Sequence, residues 1–369
     1  MNRNADQSFQ PDYAVPPGET LKETLEAIGM SQAELAERTG RPKKTINEII
    51  MGKAAITSET ALQLERVLGV PASFWSNLER NYQERLARLR EENYLKKQAN
   101  WLKGFPLAAM IKMGWLSKED SLIKKVQTLL NFFGVAGVTE WKGVWEKPQA
   151  AYRNSTAFQM NPAAVAAWLR MGEIEGQKVD CQPFQPRSFR SALQQIRSLT
   201  QKGPEGFEPA MKELCAGSGV AVVFIPELSG TRLYGATRWL KPSKALIQLS
   251  LRGKSDDHLW FTFFHEAGHI LLHGKKEIYI DEAQGNGRQE IERISKEKEA
   301  DLFAQEMLIP KETYKNFITG NDFSPDRILR FAEQIGIGPG IIVGRLQHEN
   351  IISFSQGNKL KNRVRFSKR

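Results

Sequence analysis

Apolar residues recur at helical spacing through the first part of the chain. Residues 19–28 predict one helix, which stops at a glycine. Ser31 followed by Glu34 is a capping box that begins a second helix, and Gly40 supplies the tight turn after it. A third helix follows, and its isoleucines pack back on the second. The pattern therefore predicts a helix-turn-helix within an all-α domain at 19–79.

The helical pattern continues beyond this domain and then changes. Residues 80–100 predict a charged linker helix, and residues 101–202 predict a helical middle region broken by glycine and proline. The tryptophans of the middle region favour core packing over a ligand groove. At 219–251, three β-branched runs separated by turns predict a small antiparallel sheet. We therefore expect an α+β fold that is mainly α with a small antiparallel sheet.

The composition is typical of a soluble globular protein. No apolar run reaches the roughly eighteen residues that a membrane span requires. The first residues are polar rather than signal-like, and we expect residues 1–18 to be flexible. Cys181 and Cys215 carry no metal-ligand spacing and are expected to be reduced thiols. These features predict a cytoplasmic protein with no membrane partner.

The net charge of +10 is unevenly distributed along the chain. Residues 1–79 carry eight Lys/Arg against eleven Asp/Glu, so the N-terminal part is net acidic. The basic tail at 353–369 ends in KLKNRVRFSKR, which has six basic residues and no acidic one. Such a tail is typical of a disordered, solvated segment, and it can add non-specific contacts with phosphate.

The clearest chemical signal is the stretch FTFFHEAGHILLH at 261–273. On a helix, His265 and His269 project from one face and can hold a single zinc ion. Glu266 then lies beside the metal, where it can take a proton from a water that the ion acidifies. The flanking residues are apolar almost all round, as in a buried helix. Because two imidazoles and a carboxylate buried without partners would be costly, a metal explains them better than an ordinary buried helix does.

A catalytic zinc site usually has a third protein ligand. Glu297 and Glu299 both lie on the next predicted helix, ISKEKEADLFAQEMLIP at 294–310, and periodicity does not separate them. Each of them can equally be a solvated carboxylate of this charged run. Asp301 is either a surface acid or a group that orients a ligand histidine, and His273 is expected to be a helix-end residue.

The HEAGHILLH helix, the EKEADLFAQEMLIP helix and the preceding IQLSLRGKSDDHLWFTFF together resemble the ImmA/IrrE family of zinc metallopeptidases. The resemblance covers roughly residues 203–350. It implies Zn²⁺ as cofactor, bound by His265, His269 and Glu299, with Glu266 as the catalytic general base. It also implies a soluble protease that cuts a regulatory protein, typically a repressor or an antitoxin.

SQAELAERTGRPKKTINEIIMGK, residues 31–53, resembles the phage-repressor-like helix-turn-helix family, and its continuation is similar to HigA-type antitoxins. The resemblance implies an operator in double-stranded DNA. Because this domain is net acidic, we expect modest affinity from one copy and hence a homodimer on a palindromic site. A protein-interaction module without DNA binding remains the alternative. The DNA contacts that the resemblance implies are Gln32, Lys43, Lys44, Thr45 and Asn47, and Arg41 of the same basic cluster is expected to join them. Chemically, lysine can donate to guanine and asparagine can pair with adenine.

The hypothesis from the sequence is therefore a DNA-binding transcriptional regulator, repressor- or antitoxin-like, with a zincin-like metallopeptidase domain at 203–352. That domain would hydrolyse peptide bonds in a regulatory protein, and the expected protein partner is this substrate or a toxin or repressor. Two alternatives remain: a zinc domain that only senses a ligand or binds a partner, and a structural zinc fold without turnover. The presence of Glu266 favours hydrolysis, because a purely structural site needs no base.

Overall fold

The structure is a computed structural model, which describes residues 13–146, 161–202, 204–250, 252–274, 279–280 and 288–365. The chain divides into two compact units, described separately below: residues 1–100 with 121–126, and residues 101–120 with 127–369. The parts of the predicted segments that lie outside the described residues include 1–12 of the N-terminus, 147–160 of the middle region, 275–278 and 281–287 of the predicted peptidase domain, and 366–369 of the basic tail.

The first unit consists of α-helices around one apolar core. Its helix-turn-helix follows the signals in the sequence. The Ser31 hydroxyl accepts a hydrogen bond from the backbone N–H of Glu34 at 3.1 Å. Gly40 ends the second helix with a φ of 67°, a left-handed conformation that favours glycine. The helices are α1 (Pro17–Ile28), α2 (Gln32–Thr39), α3 (Lys43–Ile50), α4 (Ser58–Leu68) and α5 (Ala72–Lys97).

Further helices precede the sheet of the second unit. Trp141, Trp145 and Trp168 are buried, so the predicted core packing is confirmed for these three tryptophans. The Trp141 ring packs edge-on against Trp101 and Phe133, with ring centroids 5.5 and 5.7 Å apart. The helices are α6 (Leu107–Lys112), α7 (Leu122–Phe133), α8 (Val138–Trp141), α9 (Pro162–Lys178), α10 (Pro186–Ser198) and α11 (Pro204–Ala216).

Among the described residues, four strands form one mixed sheet in the order β1-β3-β2-β4. The strands are β1 (Val220–Phe224), β2 (Gly235–Lys241), β3 (Lys244–Leu249) and β4 (Tyr279–Ile280). The predicted α+β class is confirmed. The prediction of an antiparallel sheet is wrong for β1, which runs parallel to β3. Strand β3 follows β2 in a tight hairpin and lies between β2 and β1. It runs antiparallel to β2 and parallel to β1.

The sheet separates two layers of helices, because β3 is buried on both faces. Ala245, Ile247 and Leu249 belong to the main apolar core, which includes the HEAGH helix. Leu246 and Gln248 face α9 on the other side, and the Gln248 amide donates to the Trp168 carbonyl at 2.7 Å. The helices after the sheet are α12 (Asp256–Leu272), α13 (Arg288–Leu308), α14 (Lys311–Thr319), α15 (Pro325–Ile335) and α16 (Pro339–His348). No described helix is both long and apolar enough to span a membrane.

Arg197 of α10 holds the C-terminal ends of two other helices. Its guanidinium donates to the carbonyl oxygens of Met307 and Leu308 at 2.9 Å each, at the end of α13. It also donates to the carbonyl oxygen of Ile335 at 2.8 Å, at the end of α15. Partial burial lowers the pKa of Arg197. A cation at helix C-termini offsets the partial negative charge of the unpaired carbonyls, so one side chain stabilises both ends.

Part of the basic tail packs against the second unit. The Lys361 ammonium donates to the carboxylate of Asp257 at 2.6 Å and to the amide oxygen of Gln347 at 2.7 Å. Val364 is buried, and Arg363 forms a β-bridge with Ser255. The expectation of a disordered tail is therefore wrong for this segment. Local composition could not reveal the packing, because the partner carboxylate lies 104 positions away in the sequence.

Removing the Lys361 ammonium tests this packing. We expect Lys361→Ala to lower the free energy of unfolding of the second unit by about 3 kcal/mol, because it leaves the Asp257 carboxylate buried without its cation. Urea unfolding of the full chain, followed by tryptophan fluorescence, measures the change. Lys359→Ala, at an exposed position two residues earlier, is the matched control. Equal stability of the two variants would contradict the structural role of the tail.

Candidate metal centre and DNA-binding surface

Helix α12 carries the HEAGH residues through the centre of the second unit. Asp256 and Asp257 lie in its first turn, where carboxylates are favourable to the helix dipole. The middle of the helix is almost fully enclosed: His265, Glu266 and His269 are 2%, 0% and 1% exposed. Three ionisable side chains at this depth require compensation by hydrogen bonds, by charge or by a metal.

Helices α12 and α13 approach each other closely at small residues. A Cβ atom on Gly268 would lie 3.2 Å from the Cα atom of Ala300 and 3.2 Å from the ring of Phe303. Ala300 and Ala304 are fully buried on the facing side of α13. Because the two backbones are so close, side chains within one turn of Ala300 reach the imidazoles of α12.

The two imidazoles and one carboxylate meet at a single point. The Nε2 atoms of His265 and His269 are 3.0 Å apart. An Oε2 atom of Glu297 lies 3.2 Å from Nε2 of His265 and 3.5 Å from Nε2 of His269. These three residues form the one group in the described part of the chain whose donor atoms could hold a metal ion together.

Each imidazole is also held from its outer side. Nδ1 of His265 lies 2.9 Å from Oδ1 of Asp301. This is the contact expected if Asp301 orients a ligand histidine. Nδ1 of His269 lies 2.9 Å from Nδ1 of His273, whose Nε2 lies 3.4 Å from Oε2 of Glu299. His273 is at the end of α12, as expected. Because Nδ1 of each ring contacts a neighbouring side chain on its outer side, the Nε2 atoms of both rings point towards Glu297.

The geometry favours Glu297 over Glu299 as the third ligand, which reverses the preference that the resemblance implied. Glu297 precedes the buried Ala300 and Ala304 by three and seven positions, so all three lie on one face of α13. Glu299 points about 160° away around the helix, at two positions from Glu297, and its side chain is 54% exposed. The spacing to the two alanines was the signal in the sequence that could have separated the two carboxylates.

Protonation of the group suits metal binding. Burial alone would raise the pKa of Glu297, but hydrogen bonding with His265 and His269 outweighs it and holds this pKa at about 2. Burial lowers the pKa of His269, which keeps its imidazole neutral at pH 7. A metal ion needs an ionised carboxylate and neutral imidazoles as ligands, and the pKa shifts of Glu297 and His269 are in these directions.

The spacing of the donor atoms fits a zinc ion. Tetrahedral zinc with bonds of about 2.0–2.2 Å has neighbouring donor atoms about 3.3–3.6 Å apart. The three separations here are 3.0, 3.2 and 3.5 Å. Two nitrogen atoms and one oxygen atom are also a donor set that zinc takes in proteins. The residues present therefore fit the ion.

Glu266 is positioned by the sheet. Its backbone carbonyl accepts a hydrogen bond from the hydroxyl of Thr237 on β2 at 3.2 Å. Its side chain lies against Gly235, where a Cβ atom would come within 2.6 Å of Oε1 of Glu266. The absence of a side chain at Gly235 thus leaves room for this carboxylate.

The predicted DNA contacts lie mainly on the outer face of α3. Lys43, Lys44 and Asn47 are exposed, and Thr45 is half-buried. Gln32 is half-buried at the first position of α2. The apolar side chains of α3 are turned into the core of the first unit. The helix therefore presents polar side chains outward, as a recognition helix requires.

Arg41 differs from the other predicted contacts. Its guanidinium donates to the side chain of Gln63 and lies 3.3 Å from Oε2 of Glu59, both on α4. The Arg41 side chain is 19% exposed. In this conformation it ties α4 to the helix-turn-helix, whereas a DNA contact would require it to leave both partners.

The fold and the two sites define the class: a helix-turn-helix of the regulator type, joined to a domain with an HExxH helix. Comparison with known families agrees with this description. Residues 21–75 match the helix-turn-helix family, and residues 218–346 match the IrrE N-terminal-like domain, a peptidase family. The chain belongs to the helix-turn-helix family of regulators and carries an IrrE N-terminal-like domain.

Known relatives match the N-terminal part of the chain. Virulence-associated protein I of Dichelobacter nodosus is 37% identical over 75 residues, which cover 20% of this chain and 69% of that protein. The uncharacterized HTH-type transcriptional regulator YddM of Escherichia coli (strain K12) is 33% identical over 63 residues, covering 17% of this chain and 67% of YddM. An addiction module antidote protein of the HigA family from Coxiella burnetii has 30% identity, a TM-score of 0.21, and coverage of 23% of this chain and 92% of that one.

Zinc content distinguishes the two carboxylates. We expect about one zinc per chain in the wild type, loss of the ion in Glu297→Ala and His265→Ala, and retention in Glu299→Ala. Because Glu299 reaches His269 only through His273, its removal should weaken zinc affinity by about tenfold at most. Elemental analysis after dialysis against zinc-free buffer measures the stoichiometry. Zinc retained in Glu297→Ala and lost in Glu299→Ala would restore Glu299 as the ligand.

Proposed function

We propose that the chain is a DNA-binding regulator whose second unit is a zinc metalloendopeptidase that hydrolyses a peptide bond in a regulatory protein. The observation that carries the proposal is the convergence of His265, His269 and Glu297, with Glu266 next to His265 on α12. The match to a peptidase family over residues 218–346 supports it.

His265, His269 and Glu297 would hold the zinc ion, and Asp301 would fix the ring of His265 through Nδ1. When bound, the ion supplies Lewis acidity that polarises the scissile carbonyl and acidifies water. Glu266 accepts the proton of the attacking water and passes it to the leaving amine, so the base of the first step is the acid of the second. Burial of these side chains strengthens each electrostatic interaction, because little water competes with it.

The first unit would bring this activity to DNA. Lys43, Lys44 and Asn47 are exposed on α3, where lysine can donate to guanine and asparagine can pair with adenine. We propose that two copies bind a palindromic operator, because the net acidic balance of residues 1–79 weakens the contact made by one copy.

Glu266→Gln tests the hydrolytic half. The variant should retain about one zinc per chain, because the side chain at position 266 is not a ligand, and should lose about 10²- to 10⁴-fold in cleavage rate without its general base. The substrate is a proteome-derived peptide mixture incubated with the zinc-loaded full chain, with new termini identified by mass spectrometry.

Glu333→Gln is the control for this substitution, because the same chemical change is made at an exposed position of α15. It should cleave at the wild-type rate. Cleavage by Glu266→Gln equal to that of Glu333→Gln would exclude the assigned base. No cleavage by the wild type would favour the alternative of a zinc domain that senses a ligand or binds a partner.

Substitutions on α3 test the DNA-binding half. We expect Lys43→Ala and Asn47→Ala each to weaken binding to an operator selected from a random duplex library, by about tenfold. Lys22→Ala, at an exposed lysine of α1, is the control and should leave the affinity unchanged. Anisotropy titrations at two salt concentrations measure both. Equal affinities for all three variants would exclude Lys43 and Asn47 as DNA contacts, and failure of the wild type to select any duplex would favour the protein-interaction module instead.

A further inference from the structure

A cavity of about 120 Å³ lies in the second unit, on the α12–α13 pair that also carries the candidate metal centre. Its walls come from the first turns of α12, the end of α13 and the length of α16. Phe261, Leu308, Ile309 and Ile341 supply its apolar lining. His258 and His348 are exposed and also line it, so the cavity reaches the protein surface between them.

The cavity lies one helical turn from the candidate metal ligands. Phe261 precedes His265 by one helical turn, and the two rings are 6.3 Å apart. On the facing helix, Gln305 lines the cavity and follows Asp301, the partner of His265, by one turn. Each of these steps is four residues, which span about 6 Å along a helix. In an extended peptide, side chains on one side repeat about every 6.6 Å. The spacing from the ligands to the cavity therefore matches the step between neighbouring side chains of an extended chain.

The charged groups in the walls are already paired. Asp257 accepts from Lys361 at 2.6 Å. The Arg345 guanidinium donates to Glu349 at 3.0 Å and lies 3.7 Å above the ring of Tyr314, whose hydroxyl also donates to Glu349 at 2.9 Å. A charged ligand group would have to displace these partners. An apolar group would instead contact the aromatic and aliphatic lining. This contact lowers the free energy, because it removes apolar surface from water.

The volume of the cavity limits the size of the side chain that it can hold. A dry cavity of about 150 Å³ lined by similar side chains holds benzene. At about 120 Å³, this cavity has room for a branched aliphatic side chain or a single ring, but not for an indole. Leucine, isoleucine and phenylalanine are therefore the side chains whose size and polarity fit.

From this geometry we infer that the cavity is a specificity pocket, which receives a leucine-, isoleucine- or phenylalanine-like side chain of the substrate beside the scissile bond. The inference rests on the proposed peptidase function and names the substrate class for it: an extended peptide with an aliphatic or phenyl side chain next to the cleaved bond. Gln305 controls the width of the pocket, because it is the half-buried polar residue of α13 in its wall.

Two substitutions at Gln305 test the pocket. Gln305→Trp should fill it, whereas Gln305→Ala should widen it with less risk to folding. Leu302→Trp is the matched control, because it adds the same ring to α13 at a position that is 64% exposed. The first readout is the profile of residues next to the cleaved bonds when the zinc-loaded full chain digests a peptide mixture. We expect a leucine, isoleucine and phenylalanine preference in the wild type and in Leu302→Trp. Gln305→Trp should shift this preference to alanine and glycine, and Gln305→Ala should extend it to tryptophan.

The second readout does not need turnover. Binding of N-acetyl-leucine amide and N-acetyl-alanine amide is measured by ligand-observed NMR. The leucine probe should bind about fiftyfold more tightly, because its side chain buries three more carbon atoms. That advantage should vanish in Gln305→Trp and persist in both Leu302→Trp and Glu266→Gln.

The two readouts separate failure of the pocket from failure of the peptidase. Cleavage without an apolar preference, or with a preference that Gln305→Trp leaves unchanged, overturns the pocket and leaves the peptidase standing. Absence of cleavage by the wild type contradicts the peptidase. In that case, leucine-probe binding that Gln305→Trp abolishes still supports an apolar side-chain site, and equal binding of the two probes overturns it.

Discussion

The close crossing of α12 and α13 is the constraint on which the candidate metal centre depends. Gly268 and Ala300 bring the two backbones together without intervening side chains. Only at this separation can Glu297 on one helix reach the Nε2 atoms of both histidines on the other. A larger residue at Gly268 would push the helices apart and separate the three donor atoms, although none of them would be altered.

The rest of the second unit holds this crossing in place. Behind α12, the sheet buries both faces of β3, with α9 covering the far side. The sheet in turn positions Glu266 through Thr237 and leaves space for it at Gly235. At the other end, the Lys361–Asp257 pair fixes the start of α12. The general base and the ligands are thus oriented by groups that do not themselves take part in the chemistry.

The features that could be predicted from the sequence are those with local causes. The cap at Ser31, the left-handed glycine at position 40 and the helical spacing of His265 and His269 all follow from residues a few positions apart. The direction of β1 relative to β3, the pairing of Lys361 and the engagement of Arg41 with α4 depend on contacts between distant residues. The choice between Glu297 and Glu299 depends on both kinds of cause. The spacing to Ala300 and Ala304 is local, but using it required knowing that these alanines face α12.

The hydrogen bonds that Arg197 donates to the ends of two helices affect how much of the second unit would have to be transferred to keep its fold in another protein. The part that matches the IrrE N-terminal-like family begins at residue 218, yet α9 and α10 precede it and supply the outer cover of the sheet and the cation at the ends of α13 and α15. A transplanted piece that began at the family boundary would expose one face of the sheet to water and leave the last carbonyls of two helices without their donor. The smallest part of the chain that could be transferred intact is therefore longer than the stretch that matches the family, and it starts before α9.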